Sequence, residues 1–205
     1  GRLEGADEDI NAMDKNGDTR LHFVSRNGHE DHVEGLVAAG AYVDAADKDD
    51  RTPLIIALLN GHEGCVERLV AAGADVNAAD MGGRTPIIAA SHEGHEGCVE
   101  RLVTAGADVN AATKNGFTPV YVASHRGHEG CLARLVAAGA DINAVDNKGG
   151  QTPIINASLH GHEGCVEGLV AAGADVNAAR ADGWTPVYGA SLNGHEGCVE
   201  RLVTA

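Results

Sequence analysis

The stretch TPIIAASHEGHEGCVERLVTAGADVNAA, Thr85 to Ala112, decides how this chain folds. Thr85 can cap a helix, and Pro86 stands at the first helical position, where its missing N–H costs nothing. Small apolar residues run on to Ser91, as a helix packed closely on its neighbours requires, and Gly94 stops the segment. A second helix is predicted from about His95 to Ala105, with Val99, Leu102 and Val103 forming an apolar stripe at helical spacing. Gly106 supplies its C-terminal stop. Ala107 to Gly116 is short, extended and rich in Asp, Asn and Gly, and reads as a hairpin-like turn. Two helices of this size cannot bury a core alone, whereas stacked copies can.

Copies are present. The pair Thr-Pro returns at Thr52-Pro53, Thr85-Pro86, Thr118-Pro119, Thr152-Pro153 and Thr185-Pro186, at spacings of 33, 33, 34 and 33 residues. A degenerate copy, Thr19-Arg20-Leu21, lies 33 residues before the first. A block opening GHEGC follows each pair, from Gly61, Gly94, Gly127, Gly161 and Gly194. This order of TPLH-like, GH and GADVN segments resembles the ankyrin repeat over almost the whole chain. The resemblance implies an all-α ankyrin-repeat solenoid of about six helix-turn-helix units joined by β-hairpin-like turns. It further implies one domain over residues 1–205, with a partial or capping unit at 1–13. The repeats then fall near 14–46, 47–79, 80–112, 113–145, 146–179 and 180–205. Both ends read as cut into repeats, which fits a fragment of a longer protein or degenerate caps.

Three departures from the family pattern stand out. The histidine of TPLH survives only as His22; Ile55, Ile88, Tyr121, Ile155 and Tyr188 take its place, so its hydrogen bonds are expected to be lost there. A second-helix position normally apolar holds Arg68, Arg101, Arg134 and Arg201, or Gly35 and Gly168. A glycine early in the second helix (Gly64, Gly97, Gly130, Gly164, Gly197) costs about 1 kcal/mol relative to alanine wherever it is helical.

Aromatic residues are 3% of the chain, so alanine, valine and leucine must carry the core. No apolar run approaches the ~20 residues of a membrane helix, and no signal-like segment opens the sequence. Cys65, Cys98, Cys131, Cys165 and Cys198 hold one place in successive repeats. Helix packing sets such positions ~8–10 Å apart, and a disulfide needs Cα atoms within ~7 Å. They are expected to be buried thiols acting as small hydrophobes, which points to an intracellular, cytoplasmic or nuclear, location. The net charge of −15 lies mostly on the second helices, while turns and first helices hold ten basic against nine acidic residues. That distribution favours solubility over partner selection. With no concentrated basic stripe, nucleic acid is disfavoured.

The His-x-x-Cys pairs, His62/Cys65 and His95/Cys98 among them, have helical i,i+3 spacing, but structural zinc needs four ligands around one point. Each pair is isolated by the repeat, so no metal is expected. Asp14-Lys15-Asn16-Gly17-Asp18 opens like a calcium loop, yet lacks the glycine and distal glutamate that complete one; it reads as a turn. Acids and histidines recur by repeat and do not gather into one asymmetric constellation. No phosphate loop or nucleophile motif occurs. The chain is therefore read as no enzyme, with no catalytic residues and no cofactor.

What varies between repeats is the informative part. The resemblance implies that turn tips and first-helix ends line a concave face that binds a protein partner. Carried over position by position, the residue before each Thr-Pro is Asp18, Arg51, Arg84, Phe117, Gln151 and Trp184. First-helix ends supply Arg26/Asn27, Leu59/Asn60, His92/Glu93, His125/Arg126, Leu159/His160 and Leu192/Asn193, and turn tips add Lys48, Met81, Lys114 and Lys148. Phe117 and Trp184 stand out, because an aromatic exposed on a turn is a favoured interface anchor; otherwise each packs on the neighbouring turn. His92, His125 and His160 are expected near one another, where their titration could tune binding. The resemblance also suggests asparagine hydroxylation at Asn77, Asn110, Asn143 and Asn177, although the same residues build every turn. The reading is a non-enzymatic, monomeric interaction scaffold with a protein partner and no membrane. Two alternatives suit the pattern: the targeting module of a larger multidomain protein, or an engineered, consensus-like array with no natural partner. Arg and Gly at normally apolar positions, and the repeated cysteine, speak against design.

Overall fold

The computed structural model describes residues 9–205 and contains six helix pairs. The first helices are α1 (Arg20–Arg26), α3 (Pro53–Leu59), α5 (Pro86–Glu93), α7 (Pro119–Arg126), α9 (Pro153–His160) and α11 (Pro186–Leu192). The second helices are α2 (Glu30–Ala38), α4 (Glu63–Ala71), α6 (Glu96–Thr104), α8 (Glu129–Ala137), α10 (Glu163–Ala171) and α12 (Glu196–Val203). First helices pack on first helices of adjacent repeats and second on second, and no strand occurs among the described residues. The chain is an all-α ankyrin-type solenoid.

Local chemistry sets the boundaries. Thr52, Thr118, Thr152 and Thr185 cap first helices by accepting from the backbone N–H three residues on, with proline in the first turn. Gly94, Gly127 and Gly161 end α5, α7 and α9 with left-handed φ values of 75–79°. Cys65, Cys98, Cys131, Cys165 and Cys198 are buried and unpaired within one apolar cluster that runs from Leu21 to Leu202. Burial pushes the thiols of Cys98 and Cys131 up to about 11 and that of Cys165 to about 12, with nearby glutamates adding to the shift. They stay protonated and behave as small apolar groups.

Neighbouring repeats are tied by four series of bonds. At the turn tips one backbone bond crosses each junction, as in Met81 N–H to Asp49 O (2.9 Å) and Lys114 N–H to Gly82 O (3.0 Å). The turn asparagines reach forward: Asn77, Asn110 and Asn143 each accept through Oδ1 from the backbone N–H of Asp108, Asp141 and Asp175. The histidine before four of the second helices reaches back. Nε2–H of His62, His128, His162 and His195 donates to the carbonyls of Arg26, His92, His125 and Leu159 at 3.0–3.2 Å. Its ring also lies against the glycine ahead of the previous histidine: a Cβ on Gly94 would come within 2.7 Å of His128. These histidines are therefore structural, and their i,i+3 spacing to cysteine follows from the histidine standing at the N-terminal boundary of a helix, turned to the preceding repeat, while the cysteine fills that helix's core side.

The fourth series explains the arginines at a normally apolar position. Arg68 reaches Glu34, Arg101 reaches Glu67 (3.4 Å), Arg134 reaches Glu96 (3.0 Å) and Glu100 (2.8 Å), and Arg201 reaches Glu163 (2.9 Å) and Glu167 (3.0 Å). Each of these outer arginines is thus paired with acids of the preceding helix; between α8 and α10 Ala133 and Gly168 replace the pair. The TPLH histidine behaves as its loss elsewhere predicts. His22 Nδ1 accepts from Thr19 N–H (3.1 Å) and Nε2–H donates to Arg51 O (2.9 Å), bonds that isoleucine cannot make.

Candidate functional site

The turns present their residues in fixed frames. In most repeats an aspartate at the turn's start folds back on it: Asp47 Oδ1 accepts from Asp49 N–H and Arg51 N–H, and Asp80 Oδ1 from Gly82 N–H and Arg84 N–H. The calcium-like run obeys the same rule, Asp14 accepting from Asn16 and Asp18, so it is a turn. Burial alone would raise the Asp47 carboxyl, but bonds from Arg51 and two backbone amides, with the Arg51 charge, hold it below the usual range. Asp146 is held low in the same way by backbone amides that outweigh its burial. The extra residue of the 34-residue spacing is absorbed here, between Asp146 and Gln151.

Between α5 and α7 these frames create a pocket of about 290 Å³. Five residues picked from sequence converge on it: Arg84, His92, Phe117, His125 and Arg126. Its floor is Ile88, Tyr121 and Val122, buried in a cluster separate from the main core, with Phe117 packed against them. Phe117 stacks on Tyr121 at 4.7 Å between ring centroids, with 9° between the planes. Burial, reinforced by Asp146, pushes the Tyr121 phenol up to about 12. At the rim Arg126 donates to His92 Nε2, and His92 Nδ1–H donates to Glu93 (2.7 Å).

The other aromatic repeats the arrangement more openly. Trp184 packs edge-on against Tyr188 at 4.9 Å, with the Arg180 guanidinium 5.3 Å from the indole centroid. Both anchors are therefore half-buried, each held by a tyrosine four residues on in its own repeat and not by the next turn. His125 and His160 meet edge-to-face at 4.5 Å, and both histidines and Gln151 bind Asn156: His125 and Gln151 through its side-chain oxygen, His160 through its carbonyl. His92 stays apart with Arg126 and Glu93. His162, below this group, is held under the ordinary histidine value chiefly by burial, with the surrounding histidines acting in the same direction.

The remaining sequence-selected residues divide between surface and scaffold. Lys48, Lys114, Met81 and Leu192 are exposed. Arg26 is tied to Asp18 and Arg51 to Asp47 and Asp49. Leu59 packs on the main core, and Leu159 lies against Gly189 of the next repeat. Asn60 ends its own helix by donating to Ile56 O, and Asn193 donates to Leu159 O. Ile88, Tyr121, Val122 and Tyr188 were not selected from sequence. The one available signal was the spacing of four between each turn aromatic and its tyrosine.

The sequence profile of ankyrin repeats matches the chain three times, over residues 3–80, 78–146 and 143–205. No curated protein matched it. Repeats of this kind are generally non-enzymatic protein–protein interaction modules, and among the described residues no helix is long and apolar enough to cross a membrane. Continuous matches over nearly the whole length, on a stack whose junctions repeat the same bonds, place the chain in the ankyrin-repeat family.

Proposed function

We propose that the chain is one continuous, monomeric scaffold that binds a protein partner along the concave face formed by its turns and first helices, without catalysis. One observation carries this reading. The outer helices are near copies whose arginines are each paired with glutamates of the preceding repeat, whereas the first-helix face holds the variation and the pocket on which Arg84, His92, Phe117, His125 and Arg126 converge. A half-buried aromatic flanked by arginines is a usual anchor of an interface. A net charge of −15 supports protein over nucleic acid as the partner. Five buried, unpaired thiols suit a reducing intracellular compartment. The test is quantitative affinity capture with the intact chain beside a Phe117→Ala/Trp184→Ala double variant. The double variant is expected to lose the proteins that the parent retains. Equal recovery of the same set by both would remove the concave face from consideration.

A further inference from the structure

The α5–α7 pocket combines two properties that the rest of the molecule keeps apart, an apolar floor and positive charge without a counter-charge. Elsewhere the arginines are matched. Arg26 lies 2.9 Å from Asp18, Arg51 2.7 Å from Asp47, Arg180 3.0 Å from Asp182, and each outer arginine meets glutamates of the preceding repeat. Arg84 meets Asp80 only at 3.8 Å. Among the described residues no carboxylate lies at salt-bridge distance from Arg126.

What Arg126 touches instead is informative. Its guanidinium donates to His92 Nε2, which can accept only from a neutral ring. The His92 proton therefore sits on Nδ1, where Glu93 accepts it at 2.7 Å. Glu93 is spent on the histidine and does not neutralise the arginine. A guanidinium offers five donors in a planar fork, and one imidazole nitrogen uses a single donor. The fork stands beside the stacked faces of Phe117 and Tyr121.

The geometry points to a partner segment carrying an acidic side chain, Asp or Glu, next to a large apolar or aromatic one, with the acid on Arg126 and Arg84 and the apolar neighbour on Phe117, Tyr121 and Ile88. This rests on the first-helix face being the binding face. A carboxylate matches the arginine fork with two parallel charge-assisted bonds, and the apolar neighbour covers the floor and excludes water from those bonds. The net −15 does not oppose this at contact. Fields between exposed charges are screened beyond about 8 Å at physiological ionic strength, so the direct contact at Arg126 counts for more than the net charge of the whole chain. A basic segment would face Arg126, with no carboxylate at salt-bridge distance, and Arg84, whose one carboxylate partner is Asp80 at 3.8 Å.

The test is selection from a random-peptide display library on the immobilised intact chain, in parallel with Arg84→Gln/Arg126→Gln and Phe117→Ala variants. Circular dichroism first establishes that both variants keep parental helicity. Peptides pairing an acid with Leu, Phe or Tyr are expected to be enriched. A synthetic consensus peptide is expected to bind about tenfold or more weakly to the double glutamine variant, and its own Glu→Gln version to lose a similar factor on the parent. Enriched peptides that lack an acid but are lost on Phe117→Ala overturn the acidic preference and leave the binding face intact. No enrichment over the unselected library, or binders indifferent to every variant, overturns both.

Discussion

On the outer side of the third and fourth repeats, Arg134 reaches back from α8 to Glu96 and Glu100 on α6, at 3.0 and 2.8 Å. On the inner side of the same two repeats, Arg126 reaches back from α7 to α5 and meets a neutral histidine. The same geometry operates on both faces, since each arginine extends one repeat toward the N-terminus. The difference lies in what the preceding copy offers. Outer positions are copied, so each arginine finds the glutamates that its own repeat presents to the next. Inner positions vary, so complementarity within the chain is incomplete and can be completed by a partner.

The largest separation of the two faces should appear on truncating one buried side chain from each. Leu102 on α6 has no exposed surface, and Leu102→Ala should cost about 2–5 kcal/mol, with no effect on captured partners beyond that of unfolding. Phe117→Ala removes a half-buried ring and should cost about 1–2 kcal/mol, yet should abolish capture. Urea midpoints at unchanged slope give the first quantity, and capture at saturating folded protein gives the second. A Phe117 variant as unstable as the Leu102 variant would make the pocket floor part of the core.

The turn frame comes next. Asp47 accepts two backbone N–H groups and the Arg51 side chain, and Asp47→Ala should cost about 1.5–3 kcal/mol through the loss of charged hydrogen bonds. Because the folded carboxyl is held below its ordinary value of 3.8, its contribution is fully present above that value and disappears as pH falls through the lower folded one. Stability measured by denaturant between pH 7 and pH 3 should therefore fall less steeply at its acid end for Asp47→Asn than for the parent. Identical acid limbs would show that Asp47 is not a source of the acid sensitivity.

How much of this was legible in the sequence depends on where each interaction closes. The fold was legible because Thr-Pro, GH and GADVN each act within one repeat or between identical repeats, so reading one copy reads all. That Arg84, His92, Phe117, His125 and Arg126 share one face was expected for the same reason, since they occupy equivalent positions in adjacent copies; that they meet at one pocket was not. The pocket floor was not. Val122 is a first-helix apolar residue that reads as ordinary core, and Ile88 and Tyr121 read as lost histidines; only packing shows that they form a second cluster. Nor was the free charge of Arg126, because pairing depends on which acid the neighbouring copy places within reach, and Glu93 is diverted to His92. Leu59 and Leu159 are only half-buried, Leu59 packed against the main core and Leu159 close to Gly189 of the next repeat, which the sequence pattern did not indicate.

Glycines in the outer helices sharpen the contrast with a smaller effect. A methyl added at Gly97 would sit 3.7 Å from the Glu63 carboxylate, an ordinary contact, so Gly97→Ala should stabilise by about 1 kcal/mol. At Gly130 the same methyl would overlap the Glu96 carboxylate, which Arg134 holds in place. Gly130→Ala should gain clearly less, and removing the glutamate with Glu96→Ala should restore part of the difference. Equal gains at both glycines would show that the glutamates move aside freely and that the outer series is loosely held.

The junction between α8 and α10 permits the last and smallest test. Here Ala133 stands where other outer helices carry a glutamate, and Gly168 where the next carries an arginine. Both members of the pair are missing together, so no charge is left facing an absent partner except Glu129, which α10 does not answer. A Cβ at Gly168 would meet Leu132 at 3.6 Å, so a longer side chain fits without moving the backbone. Gly168→Arg alone should stabilise by about 1 kcal/mol through helix propensity, and Ala133→Glu alone should be close to neutral. The double variant should exceed their sum by only about 0.5 kcal/mol, the size of an exposed ion pair, and that excess should vanish in molar salt. A double-mutant cycle measures it directly. A coupling of several kcal/mol would mean that the outer charges hold the repeats together, and the inner face would then differ from the outer in stability as well as in pairing. A coupling near the expected value leaves cohesion to the buried cluster and the histidine and asparagine bonds, with the outer charges adding little beyond the pairing of their arginines.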